Sequence, residues 1–109
     1  MNQKQIYDYL LENPLGVNVA VGDVEDLNGE DYIFFDYLED ELIPFDDKGI
    51  YQAMIQITVC TKDFENRKIL TDYIKAKFNV FVNYEKSIEF EYYLARCNCG
   101  LVMFADEEN

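Results

Sequence analysis

The chain has 109 residues, 9 Lys and Arg against 22 Asp and Glu, and a net charge of −13; half of its residues are hydrophobic and 16% are aromatic. That length suits one domain over 1–109, and nine Tyr and eight Phe exclude an acidic disordered chain, which would lack the apolar side chains to fold. With no His and a single Ser, Ser87, the Ser-His and Cys-His catalytic arrangements, His-ligated zinc and His acid/base chemistry are excluded as well.

Asn2 to Glu12 predicts a short helix. Ile6, Tyr9, Leu10 and Asn13 fall at helical spacing, Asn2 offers an N-cap oxygen, and Pro14 disfavours helical geometry at Asn13. In Leu15 to Val21, Val17, Val19 and Val21 alternate with Asn18 and Ala20, which predicts a short half-buried strand; Gly22 to Gly29 has a turn composition. Asp31 to Leu38, rich in Tyr, Ile and Phe, predicts a second strand. Glu39 to Gly49 reads as a polar connection broken by Pro44, with a tight turn at Asp46-Asp47-Lys48-Gly49. Ile50 to Cys60 carries the clearest alternation in the sequence. Tyr51, Ala53, Ile55, Ile57 and Val59 share one face, and Gln52, Met54, Gln56, Thr58 and Cys60 share the other. Two strands around an acidic turn predict a hairpin.

The apolar period then changes from two to about 3.6. Thr61 and Asp63 offer N-cap oxygens, Asn66, Ile69, Leu70, Tyr73, Ile74 and Lys77 form a helical stripe, and the helix is placed at Asp63 to Phe78 with Asn79 as its stop. Val80 to Tyr84 predicts a short strand before a turn at Glu85-Lys86-Ser87. Ile88, Phe90, Tyr92 and Leu94 then alternate with Glu89, Glu91, Tyr93 and Ala95 in a last strand that continues, bent at Gly100, towards Phe104. Residues 105–109 read as a frayed acidic end. This order predicts an α+β domain: a mixed or antiparallel sheet of four to five strands with two helices packed on one face.

Few residues in the sequence suggest chemistry. The five glycines are dispersed without phosphate-cradling spacing, and Asp23-Val24-Glu25-Asp26 lacks the ligand pattern of a calcium loop. Cys97 and Cys99 would need Cys60 and a fourth ligand to hold zinc, so they read better as small side chains on one strand face. The odd number of thiols suggests that they stay reduced, and Met1 to Leu11 does not read as a secretory signal. No stretch reaches the roughly 18 apolar residues of a membrane helix. The expectation is therefore a non-enzyme with no metal, no cofactor and no membrane partner. At −13 the chain is also repelled by free nucleic acid and anionic lipid.

The layout of the charge says more than its size. Eleven of the 22 acids lie between Asp23 and Asp47 with no basic residue among them, whereas Lys62 to Lys77 holds five basic residues against three acidic ones. Such a molecule satisfies itself in a head-to-tail ring, in which Glu39, Asp40, Glu41, Asp46 and Asp47 of one copy meet Arg67 and Lys68 of the next. Internal pairing or simple solvation of these charges is the alternative. Tyr32-Ile33-Phe34-Phe35-Asp36-Tyr37 places apolar groups on both strand faces, which also suggests that another subunit covers part of the sheet.

The opening helix ending at Asn13-Pro14-Leu15 leads into the Val17 to Val21 strand, the Tyr32 to Tyr37 strand and the strand Tyr51 to Val59. The strand-to-helix passage Cys60-Thr61-Lys62-Asp63-Phe64-Glu65-Asn66-Arg67-Lys68-Ile69-Leu70 and the closing strand Tyr92-Tyr93-Leu94-Ala95-Arg96 follow. This layout, from Ile6 to about Phe104, resembles the tail terminator or tail completion proteins of long-tailed bacteriophages. The resemblance implies a small α+β subunit of the virion, assembled in the bacterial cytoplasm as a ring, usually a hexamer, at the head-proximal end of the tail. Its implied partners are the tail tube protein, whose polymerisation the ring ends, and the stopper protein of the head connector. It also implies a lumen through which DNA passes without specific binding, and an acidic wall would repel the phosphates. This chain departs from an ordinary member in its acidity and its short C-terminal end. The competing reading is an acidic DNA mimic, in which carboxylates stand in for phosphates in the groove of a nuclease or restriction enzyme.

Overall fold

The computed structural model of the chain describes residues 2–22, 30–41 and 50–104. The alternation in the third predicted strand sets the centre of the fold. This strand, β3 (Ile50–Thr61), buries Ala53, Ile55, Ile57 and Val59 on one face and is flanked by β2 (Tyr32–Glu41) and β5 (Tyr92–Phe104), both antiparallel to it. Ile57 sits across from Phe35 on one side and Cys97 on the other. β1 (Asn18–Val21) adds to β2 in parallel and β4 (Phe81–Ser87) adds to β5 antiparallel, which gives a mixed five-stranded sheet in the order β1-β2-β3-β5-β4. Helices α1 (Gln3–Leu11) and α2 (Phe64–Lys75) pack on the same face, where Ile6, Leu10, Leu70, Ile74 and the following Phe78 join the core. The fold is α+β, as predicted.

Local chemistry fixes the helix ends. Asn2 and Gln5 form a reciprocal capping box, each side-chain oxygen accepting from the other's backbone N–H at 2.9 Å. At the far end Asn13 is 6% exposed and uses its whole amide: Nδ2 donates to the carbonyls of Leu10 and Val17, and Oδ1 accepts from the N–H groups of Leu15 and Val17. One side chain thus ties the end of α1 to the start of β1, and Pro14 lies outside the helix. Asp63 caps α2 by accepting from Glu65 and Asn66, while Thr61 Oγ1 donates to the Asp63 carbonyl. The two helices are joined by a stacked Tyr pair, with ring centroids 4.5 Å apart. Tyr9 Oη donates to the Tyr73 carbonyl and Tyr73 Oη donates to the Tyr9 carbonyl.

Three boundaries depart from expectation. β2 does not end at Leu38; it pairs through Glu39, Asp40 and Glu41 with Met54, Ala53 and Gln52 after a register shift between Tyr37 and Glu39. Acidic composition argued for a connection there, but a ladder is made by backbone groups, and β3 supplies them out to Gln52. α2 ends at Lys75 rather than Phe78, because the last turn tightens where Lys77 N–H bonds to the Ile74 carbonyl. β4 runs on through Glu85-Lys86-Ser87, so the turn falls later, at Ile88 to Glu91, and β5 begins at Tyr92.

β5 is therefore shorter than expected. Ile88 and Phe90, placed on the last strand by their alternation with Glu89 and Glu91, are 88% and 63% exposed in the turn, and the core face of β5 carries Ala95, Cys97 and Cys99. Cys97 and Cys99 do share that face, as expected. The predicted turns at 23–29 and 46–49 and the acidic end at 105–109 lie outside the described residues.

Candidate subunit interface

Strand lengths in the sheet are unequal, and the inequality builds an arm. β1 pairs with β2 only as far as Phe35, and β4 pairs with β5 only from Asn98 back. Beyond those points β2, β3 and β5 continue alone as a three-stranded projection, Asp36–Glu41, 50–56 and 99–104, and the molecule reaches 46 × 26 × 24 Å. Among the described residues the outer edges of β2 and β5 have no strand partner along this arm.

Glu39, Asp40 and Glu41 occupy consecutive positions on β2 within it, opposite residues 52–54. Asp46 and Asp47 belong to the segment joining β2 to β3 and lie outside the described residues. Three consecutive acidic residues at this point of the sequence favour a basic partner surface over an acidic one.

The two predicted basic partners are committed elsewhere. The Arg67 guanidinium lies over the rings of Phe64 at 4.9 Å, Tyr84 at 4.8 Å and Tyr93 at 5.5 Å, and it donates to the carbonyls of Glu85 and Leu94, both at 3.2 Å. It fastens α2 to the β4–β5 pair. Lys68 is ion-paired to Asp72 one helical turn on, at 2.9 Å. Replacing Arg67 with alanine removes two hydrogen bonds from a charged donor and three ring contacts, and is expected to cost about 2–3 kcal/mol in a urea melt of the chain. A loss under 0.5 kcal/mol would mean that the cage is not holding the helix. Lys68→Ala, which removes one exposed pair, should leave the urea midpoint close to that of wild type.

Most other cations among the described residues are also engaged within the chain. Lys4 pairs with Asp8 and Arg96 with Glu85. Lys62 sits 4.5 Å from the Tyr92 ring centroid, Lys86 5.1 Å from that of Tyr93, and Lys77 5.6 Å from that of Tyr9. Among the described residues Lys75 has neither a carboxylate nor a ring partner. It stands in the last turn of α2, where the helix dipole favours a positive charge.

The face of the sheet away from the helices is only partly closed. At one end Thr58, Cys60 and Tyr92 are buried on it, and Tyr92 Oη donates to the Glu30 carbonyl. Further along, Phe34 is half-buried, Met54 is 41% exposed, and Gln56 Nε2 donates to Asn98 Oδ1 at 2.8 Å. Phe81, on the edge strand, is 85% exposed. Apolar groups therefore remain uncovered on the open face, on the sheet edge and in the Ile88–Glu91 turn.

No protein-family model matches the chain, and no curated protein matches it either. Its own geometry is therefore the basis for a functional assignment.

The three thiols do not converge. Cys97 and Cys99 belong to the helix-covered core, while Cys60 lies on the opposite face of the sheet. Burial pushes the Cys97 thiol up to about 12 and those of Cys60 and Cys99 up to about 11. They are neutral, inert groups at ordinary pH. Among the described residues no group of three His, Cys, Asp or Glu side chains is placed to hold a metal ion, and no helix is long and apolar enough to cross a membrane.

The Arg67 cage had a trace in the sequence that the charge count passed over. Phe64 lies three residues before Arg67 on the same helix face, the spacing at which a ring and a cation meet. Tyr84 and Tyr93 are brought in by the pairing of β4 with β5, which puts Tyr84 opposite Ala95 and Tyr93 opposite Lys86.

Proposed function

We propose that this chain is a structural subunit of a long-tailed bacteriophage virion, a tail terminator. Copies form a ring, a hexamer in the family it resembles, at the head-proximal end of the tail. The ring caps the tube, ends its polymerisation and presents a surface to the head-connector stopper. Assembly takes place in the bacterial cytoplasm, and DNA passes through the lumen unbound, repelled by carboxylates. The role requires recognition surfaces and no catalytic residue.

The observation that carries this reading is the one-sided sheet with its projecting acidic arm. Both helices cover one face, while exposed Met54, Phe81, Ile88 and Phe90 remain on the open face, the edge strand and the turn. A small domain that leaves large apolar side chains in several separate places has contacts to make on more than one side, as a ring subunit with lateral and axial neighbours does.

Native mass spectrometry and negative-stain microscopy, with and without tube protein, test it. A ring near six subunits, alone or on tube ends, and tubes of fixed length when the ring is present are the expected results. A stable monomer or dimer that competes with DNA for a nuclease would overturn the reading in favour of the acidic mimic.

A further inference from the structure

Where α2 gives way to β4, the surface holds an open depression of about 410 Å³ lined by Lys75, Ala76, Lys77, Phe78, Asn79 and Val80. Phe78 is buried beneath it, and exposed Phe81 follows directly. Lys75 has no carboxylate or ring partner among the described residues, and Lys77 Nζ lies 5.6 Å from the Tyr9 ring centroid. The depression therefore offers two cations without carboxylate partners among the described residues.

The geometry points to this depression as the socket for the acidic end of the β2–β3 arm of a second copy, residues 39–47. Charge complementarity identifies the occupant. Residues 39–48 hold Glu39, Asp40, Glu41, Asp46 and Asp47 against Lys48 alone. Position favours a second copy over the same chain. The socket adjoins the start of β4, at the level of Asn98 on β5, whereas Glu41 pairs with Gln52, which in turn faces Val102. Four residues of strand, about 13 Å, separate the two levels before the connecting segment even begins. The described end of the arm, Glu41, therefore lies away from its own socket.

Such a contact joins two different surfaces and so propagates head to tail, closing into a ring where the rotation allows. It refines the ring reading, on which it rests, by moving the basic side of the contact from Arg67 and Lys68 to Lys75 and Lys77. As a contact between exposed charges it is also sensitive to salt.

The test uses two full-length double variants, Lys75→Glu/Lys77→Glu and Asp46→Lys/Asp47→Lys, with masses read by analytical ultracentrifugation at low and high salt. Lys75 and Lys77 are exposed and Asp46 and Asp47 lie outside the described residues; matching circular-dichroism melts would establish that both variants fold. Each variant alone should dissociate, with association weakened about tenfold or more. A 1:1 mixture should recover the wild-type mass at low salt, because each restores the other's missing sign across the contact. Lys75→Gln/Lys77→Gln should fall between the two extremes.

If wild type assembles and Lys75→Glu/Lys77→Glu assembles equally well, the socket is wrong and the ring reading survives. If the mixture does not recover, the contact is not between copies and the proposal fails. If removal of residues 105–109 dissolves the assembly while Asp46→Lys/Asp47→Lys does not, the acidic C-terminal end is the occupant and the arm is not. Wild type that stays monomeric at every salt concentration, alone and with tube protein, overturns the socket and the ring together.

Discussion

Phe35→Ala is expected to lose about 3–5 kcal/mol of stability, the cost of deleting a large buried ring and leaving its cavity. Phe35 is fully buried on β2, opposite Ile57 on the central strand and Val21 on β1, beneath the two helices. A domain of this size has about 5–15 kcal/mol in total, so the variant should be unfolded or close to it at 37 °C. Its neighbour provides the control. Phe34 points to the other face of the same strand and is only half-buried, so Phe34→Ala should cost roughly 1 kcal/mol and leave a folded subunit. Urea midpoints of the two variants, measured side by side, check this. Equal losses would mean that the open face is as closed as the core, and the case for a second subunit covering it would lapse.

Alkali is expected to destabilise the protein through its buried thiols. The folded state holds Cys97 at about 12 and Cys60 and Cys99 at about 11, all raised above the ordinary 9.0, chiefly because burial penalises the thiolate. A raised acid binds its proton more tightly in the folded chain than in the unfolded one. The unfolded chain therefore ionises first, and stability falls with increasing pH. This contribution is complete below pH 9 and is lost as pH rises through 11 to 12. With three thiols acting together the loss reaches several kcal/mol by pH 11.

Tyr9 and Tyr73, whose hydroxyls are also raised by burial, steepen the fall at its upper end. Urea melts at pH 8 and pH 10.5 measure the effect. A chain with alanine at 60, 97 and 99 would start from lower stability yet show a much flatter pH dependence over that interval. If its slope matched wild type, the thiols would not be the cause. At pH 8 the native thiols should react with Ellman's reagent far more slowly than those of the urea-unfolded chain.

What could be read from the sequence depended on whether one face of an element was clearly apolar. β3 was legible because Ala53, Ile55, Ile57 and Val59 are small or branched while Gln52, Gln56 and Thr58 interrupt the other face. The start of α1 was legible because Asn2 is a capping residue in front of a helical stripe. The start of β5 was placed too early because Ile88 and Phe90 alternate with Glu89 and Glu91, whereas the pairing of Ser87 with Tyr92 makes those four residues the turn; the core-facing side of β5 was left open because Tyr92, Tyr93 and Leu94 are all apolar. The choice between its faces is made by pairing with β3, which sets Cys97 against Ile57, and no local pattern contains that information.

The arm was hidden for a related reason. Glu39, Asp40 and Glu41 look like loop residues, and only the length of β3 reveals that they are paired. At the candidate interface, the charge asymmetry was visible but its bookkeeping was not. Arg67 is consumed by rings that lie near it only after β4 and β5 come together, and among the described residues the cation without a carboxylate or ring partner proves to be Lys75.

The arm has a second edge with a different character. Opposite the acidic β2 edge, β5 runs out through Gly100-Leu101-Val102-Met103-Phe104, five residues without a charge, with no strand beside them among the described residues. An uncharged, β-rich strand with a bare edge is a template for indiscriminate stacking into fibrils. The excess of 22 acids over 9 basic residues acts against this as a colloidal stabiliser, holding arm from arm. Indiscriminate stacking is thereby suppressed, and association is left to a contact that can overcome the repulsion locally.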